Sequence, residues 1–293
     1  MADNEEIRKT VSEAYSKAVT ESGAGCSSSG TIAPSQSGCC TAPEQKGTVV
    51  KLAGYGSDEL RDLPPEAVVN SFGCGNPVAF SAVKEGDVVL DLGAGAGIDI
   101  LLAAKKVGPT GRAIGIDMTD EMLAKAEENI KASGLTNVEV RRGIIEDLPV
   151  ESASVDWVIS NCVINLSPEK ERVFKEIERV LKPGGQMLVS DIVVEELPEV
   201  LRASKALYSS CVAGAISEGA YIEGLTAAGL SGVEVRARIV YETSQLAAFF
   251  KSELSDLSRD LPVSDPEELL ACSAKTLTGK VWSAKFYAKK VTQ

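Results

Sequence analysis

The run Asp87-Val88-Val89-Leu90-Asp91-Leu92-Gly93-Ala94-Gly95-Ala96-Gly97 limits the possible folds more than any other segment. Its first half is a short, almost continuous apolar stretch, the pattern of a strand buried on both faces. Its second half places glycine at every other position. There the backbone can turn sharply and bring its N–H groups close to a ligand at a helix N-terminus. A helical pattern over Ile98 to Val107 follows, closed by Gly108-Pro109. Strand, glycine turn and helix in that order are the first half of a βαβ unit, whose crossover commits the chain to a parallel sheet.

The alternation continues. Arg112 to Asp117 reads as a strand, Asp120 to Ser133 as a helix and Val138 to Arg141 as a third strand. Val155 to Asn161 gives a fourth strand and Pro168 to Leu181 its helix. The turn Lys182-Pro183-Gly184-Gly185 then leads into a fifth strand, Gln186 to Ile192. The predicted class is α/β, a doubly wound Rossmann-like sheet. Past Leu197 the pattern changes to helices over Glu199 to Ala213 and Tyr221 to Ala228, then strands near Val233 to Tyr241 and Trp282 to Lys289. Three regions result: 1–54, 55–195, and a smaller α+β region, 196–293, that completes the sheet. The first opens with a helix from Glu5 to about Thr20, which spaces Ile7, Val11, Tyr15 and Ala18 at helical intervals. A Gly/Ser-rich stretch, Glu21 to Thr41, follows and carries Cys26, Cys39 and Cys40.

Composition removes several classes of function. With 30 basic residues against 42 acidic ones the net charge is −12, which repels a phosphate backbone, so nucleic acid is not an expected partner. No apolar run approaches the ~20 residues of a membrane span, and Met1-Ala2-Asp3-Asn4-Glu5-Glu6 lacks the basic-then-apolar order of a signal peptide. A soluble cytoplasmic protein is expected. Histidine is absent, which removes the commonest general base and the commonest zinc ligand together. No Cys-x-x-Cys pair is present either, so no metal cofactor is expected. Seven cysteines, an odd number without an export signal, point to thiols with redox or ligand roles rather than to a disulfide framework.

In an open α/β sheet ligands collect beyond the carboxyl ends of the strands. The first end offers Asp91 and the turn glycines Gly93, Gly95 and Gly97. The second offers Asp117, a carboxylate able to accept both hydroxyls of a ribose. At the third, Gly143-Ile144-Ile145-Glu146-Asp147 supplies apolar contact for an adenine face and an acceptor for its amino group. The fourth, Ser160-Asn161-Cys162-Val163-Ile164-Asn165-Leu166, puts Asn161 and a thiol at the cofactor edge. NAD(P) and S-adenosylmethionine both suit this arrangement.

Val88 to Gly97, Gly115-Ile116-Asp117-Met118-Thr119 and Leu181-Lys182-Pro183-Gly184-Gly185 together resemble the class I S-adenosylmethionine-dependent methyltransferases. The resemblance implies an antiparallel strand late in the chain. It also implies that Asp91, Gly93, Gly95 and Gly97 hold the methionine end, Asp117 the ribose, and Met118, Ile145 and Glu146 the adenine, with Asn161 beside them. Within that class Ser71-Phe72-Gly73-Cys74-Gly75-Asn76-Pro77, the Cys162 segment and the later Cys211 are similar to the arsenite methyltransferases, over about residues 55 to 230. This implies that Cys74, Cys162 and Cys211 bind trivalent arsenic, delivered as arsenite or its thiol conjugates. The family also uses a fourth, N-terminal cysteine in a disulfide relay; here Cys39 or Cys40 is favoured, with Cys26 the other candidate. An external dithiol, thioredoxin or glutathione, would reset the relay. Cys272 is expected to pack in an amphipathic helix.

The chemistry agrees with the residue types. Trivalent arsenic is soft and selects thiolates, and its lone pair carries no proton that a base must remove. Two other readings stand beside this one. The chain is a class I methyltransferase for an organic small molecule whose cysteines only pack, or it sequesters a metalloid on thiols without turnover.

Overall fold

The computed structural model describes residues 4–22, 63, 64, 67, 76, 82–209, 211–252 and 266–292. Helix α1, Asn4–Ser22, precedes the sheet and turns the buried Val11 inward. The alternating core then runs β1 (Val88–Leu92), α2 (Ile98–Val107), β2 (Arg112–Asp117), α3 (Asp120–Ser133), β3 (Val138–Arg142) and β4 (Val155–Asn161). A short 3-10 turn, Ile164–Leu166, leads to α4 (Lys170–Val180) and β5 (Leu181–Val194). After β5 come α5 (Glu199–Arg202), α6 (Lys205–Ser209), α7 (Glu218–Ala227), β6 (Leu230–Val240), α8 (Thr243–Ser252), α9 (Pro266–Leu277) and β7 (Val281–Lys290).

The seven strands form one sheet in the order β3-β2-β1-β4-β5-β7-β6. The pairs through β5 are parallel, and β7 runs antiparallel to both β5 and β6, the late antiparallel strand that was expected. Strand periodicity sorts the core into two layers. Trp157 and Ile159 of β4, with Leu188 and Tyr287, pack toward α2, whereas Val158, Val189 and Phe286 pack beneath Phe174 of α4 and Tyr221 of α7. Helix α4 buries Val173, Phe174, Ile177 and Val180, one stripe at helical spacing. No described helix is long and apolar enough to cross a membrane.

Four expectations need correction. The helix predicted over Glu199 to Ala213 is two short ones, because the buried Ser204 accepts the Leu207 N–H at 3.3 Å and so caps a new helix at Lys205. Cys211 therefore lies past the end of α6, in a turn. The Lys182 to Gly185 turn is a bulge inside β5: Leu181 pairs with Val155 and Gln186 with Trp157, so the intervening residues loop out of register. No element was expected where α8 lies. Cys272 does sit on the amphipathic helix α9, yet its thiol is on the exposed side. The Gly/Ser-rich stretch with Cys26, Cys39 and Cys40, and the segment with Cys74, lie outside the described residues.

Candidate active site

A cleft of about 930 Å³, open mouth included, lies at the carboxyl ends of β1, β2 and β4. Its floor is the β1–α2 turn, where Gly93 has φ +69° and a Cβ would lie 2.5 Å from Val163, so a side chain there meets both strain and collision. A Cβ at Gly95 would meet nothing within 4 Å, leaving that part of the turn open to the cleft. Asp117 accepts the Gly95 N–H at 3.0 Å on one oxygen and the Thr119 N–H at 2.9 Å on the other. Burial pushes its carboxyl up, and those N–H donors hold it back. Met118 and Ile145 form apolar walls, with Glu146 beside them, and Asn161 donates to Asp99 at 3.0 Å. Of the predicted cofactor residues, Gly93, Gly95, Asp117, Met118, Ile145, Glu146 and Asn161 line the cleft, while Asp91 and Gly97 do not. Asp91 is buried beneath the turn, its carboxyl raised by burial and by Asp99 and Asp117; Gly97 caps α2. Carboxylate, apolar walls and glycine floor together fit an adenosine-bearing cofactor.

Beside this cleft the fold brings two cysteines together. Cys162 follows β4 directly, and its N–H is held by the Ser190 carbonyl of β5 at 2.8 Å. Cys211, 49 residues later, places its Sγ 2.6 Å from the Cys162 carbonyl oxygen. Both are buried, and both have positive φ, +59° and +65°. Cys162 is disulfide-bonded, whereas Cys211 is free. Burial, with Asp191 nearby, pushes the Cys211 thiol well up; a hydrogen bond from Tyr15 and the charge of Lys170 act the other way.

The turn that carries Cys162 is anchored from β5. Asn165 donates its backbone N–H and its side-chain amide to the two oxygens of Asp191, at 3.2 and 2.8 Å, and Tyr221 adds its hydroxyl at 3.3 Å. Burial raises the Asp191 carboxyl to about 7, and Lys170 opposes that rise. Lys170, whose ammonium donates to the Ser167 carbonyl at 2.8 Å, is lowered to about 8 by its own burial.

The methyltransferase domain family matches residues 83–245, more than half of the chain. A solved arsenic (III) S-adenosylmethionine methyltransferase from Chlamydomonas reinhardtii is 33% identical, with a TM-score of 0.61, and the match covers 83% of this chain and 73% of that one. The chain belongs to the arsenite methyltransferase family. That places it among the class I S-adenosylmethionine-dependent enzymes, as its sheet order also indicates. The arsenite methyltransferase of Halobacterium salinarum is 42% identical over 234 residues, 80% of this chain and 59% of the relative. The human one is 37% identical over 169 residues, 54% of this chain and 44% of the relative. The chain thus spans about half the length of the curated relatives it matches.

Several residues around this family site were not singled out from sequence. Arg8, Val11 and Tyr15 of α1 line the cleft, although helical spacing alone marks Val11 and Tyr15 in the sequence and nothing there marks Arg8. Asp191 lies inside β5, so an isolated carboxylate within an apolar strand was the available signal for it. Lys285 is almost fully buried on β7, and burial lowers it to about 8 against the pull of Asp99. Nothing in its local sequence marks it.

Proposed function

We propose that this chain transfers methyl groups from S-adenosylmethionine to trivalent arsenic held on Cys74, Cys162 and Cys211, giving methylarsenicals in arsenic detoxification. The observation that carries the reading is the approach of Cys211 to Cys162 across 49 residues, on strained backbone, at the edge of an adenosine-shaped cleft. Packing alone gives no reason for two cysteines to hold unfavourable φ values side by side.

S-adenosylmethionine, when bound, supplies an electrophilic sulfonium methyl group. Asp117 would take the ribose hydroxyls, Met118 and Ile145 would enclose the adenine, Glu146 would accept its amino group, and the Gly93 to Gly97 turn would admit the methionine end. Asp91, with Asp99, would present carboxyl oxygens beneath that cationic end, and Asn161 is held next to it by Asp99. Three thiolates around arsenic leave one lone pair directed away from sulfur. The acceptor has no proton to lose, so the residues need only position it in line, and a chain without histidine suffices.

Each transfer raises arsenic formally from trivalent to pentavalent, and the next round needs two electrons. A pair of thiols supplies them by closing to a disulfide. Cys74 with Cys39 or Cys40 serves as that relay, reset by thioredoxin or glutathione. The disulfide at Cys162 must be opened before arsenic can engage that sulfur.

The reduced chain, incubated with arsenite, labelled S-adenosylmethionine and a dithiol, is expected to release labelled methylarsenicals. Cys162→Ser and Cys211→Ser should each abolish product while leaving cofactor affinity within about twofold, since neither sulfur is asked to hold the cofactor. Arsenite bound without product would favour sequestration. Equal loss of cofactor affinity would make both cysteines packing residues.

A further inference from the structure

Arg8 reaches from α1 to two carboxylates in distant parts of the chain. Its Nε donates to Glu146 Oε1 at 3.1 Å, and its Nη2 pairs with Glu169. Ser167 donates its hydroxyl to the same Glu146 oxygen at 2.7 Å, and is itself held by the Glu169 N–H at 3.0 Å. Two donors thus converge on Oε1, and no hydrogen bond from a described residue falls on Oε2. Glu146 is 4% exposed and lines the cleft. A carboxylate is a planar fork with acceptor sites on both oxygens, so fixing one oxygen from two directions fixes the other.

We infer that Arg8 is a positioning residue for base recognition: with Ser167 it holds Glu146 so that Oε2 accepts the exocyclic amino group of adenine and disfavours a purine with a carbonyl oxygen there. The inference rests on the reading of this cleft as an adenosine site. An amino group donates into a carboxylate. A carbonyl would set its lone pairs against those of Oε2 and leave two acceptors facing each other with no donor between them. A site built around a hydrogen bond rejects an analogue that cannot make it far better than an apolar pocket rejects a shape. Removing Arg8 frees the carboxylate to turn, which weakens the amino contact and relieves the clash with a carbonyl. The ratio of the two affinities therefore falls, whatever α1 does to the absolute values.

Calorimetry with S-adenosylhomocysteine and S-inosylhomocysteine on the full chain tests this. The unmodified chain should prefer the adenosyl ligand about 30-fold, the scale of one hydrogen bond to a charged group. Arg8→Met should compress that preference to about threefold, chiefly by weakening the adenosyl ligand. If Arg8→Met weakens both ligands equally, Arg8 is only part of a lid and the inference fails while the adenosine site stands. Should Arg8→Met not fold, Ser167→Ala removes the other donor from Oε1, and an unchanged ratio there overturns the inference in its turn. Glu146→Gln must also compress the ratio. A full preference in that variant, or an unmodified chain that binds neither ligand, would overturn the adenosine assignment itself.

Discussion

Among the described residues, three that are not glycine have positive φ, and two of them are Cys162 and Cys211. Each such residue costs on the order of 1 to 3 kcal/mol, so the surroundings must impose the conformation. For Cys162 the constraint is the Ser190 carbonyl on its N–H; for Cys211 it is the closure of the turn after α6 through the Tyr208 carbonyl. Glycine accepts that geometry without strain, whereas alanine does not. Cys211→Gly should therefore be more stable than Cys211→Ala by about 1 kcal/mol in urea unfolding, the reverse of their usual order. Equal midpoints would show that the turn relaxes and holds no strain. The sulfur has its own partner in Tyr15, whose phenol is pushed up by burial and by Cys211 while it donates to that thiol. Tyr15→Phe deletes one hydrogen bond and almost no volume, so methylation should slow about tenfold with cofactor affinity unchanged. A change in the cofactor constant without a change in rate would give Tyr15, which also lines the cleft, a role in cofactor binding rather than at the thiol.

Between residue and fold stands the anchor that ties the Cys162 turn to β5. The Asp191 carboxyl ionises near 4 in an unfolded chain but holds its proton to about 7 in the fold, mainly through burial. Between those values the folded state keeps a proton that the unfolded state releases. The contribution of Asp191 is thus fully present below about pH 4 and lost as pH rises through about 7. Lys170 runs the other way. Lowered by burial to about 8, it contributes above its ordinary value and loses that contribution as pH falls through about 8. The destabilisation caused by Asp191→Asn should then shrink by roughly 2 to 4 kcal/mol between about pH 4.5 and 7.5. A pH-independent difference in urea unfolding would mean that Asp191 is ionised throughout. Local sequence disclosed β1 through α3 almost to the residue, because parallel strands buried on both faces leave unbroken apolar runs and glycines mark the turns. It did not disclose the break at Ser204, which depends on a serine becoming buried with its hydroxyl free to cap. Nor did it place α1 over the cleft. Helical spacing shows which face of α1 is apolar, but its docking between α3 and α6 is a tertiary choice.

At the scale of the molecule, the decisive feature is that β7, last in the chain, lies inside the sheet between β5 and β6. Edge strand β6 therefore reaches the site only through β7, and the sheet that supports Asp191 and Ser190 cannot close until the far end of the chain is in place. The cysteine pair was legible as residues at two motifs, but its convergence is a product of this topology, since no local spacing joins positions 162 and 211. Phe286 tests the coupling. It is fully buried on β7, stacked on Tyr221 at 4.0 Å and 6°, and Tyr221 in turn meets both Phe174 of α4 and Asp191. Phe286→Ala should cost about 3 to 5 kcal/mol, and at ~2 to 4 °C per kcal/mol that lowers the melting temperature by roughly 10 °C. If residues 196–293 were energetically separate, the variant would show an early second transition in calorimetry while cofactor affinity held up to the later one. A single shifted transition is expected instead. The stack joins β7 to the strand that bears Asp191, and loosening it should release the Cys162 turn and the cofactor cleft together.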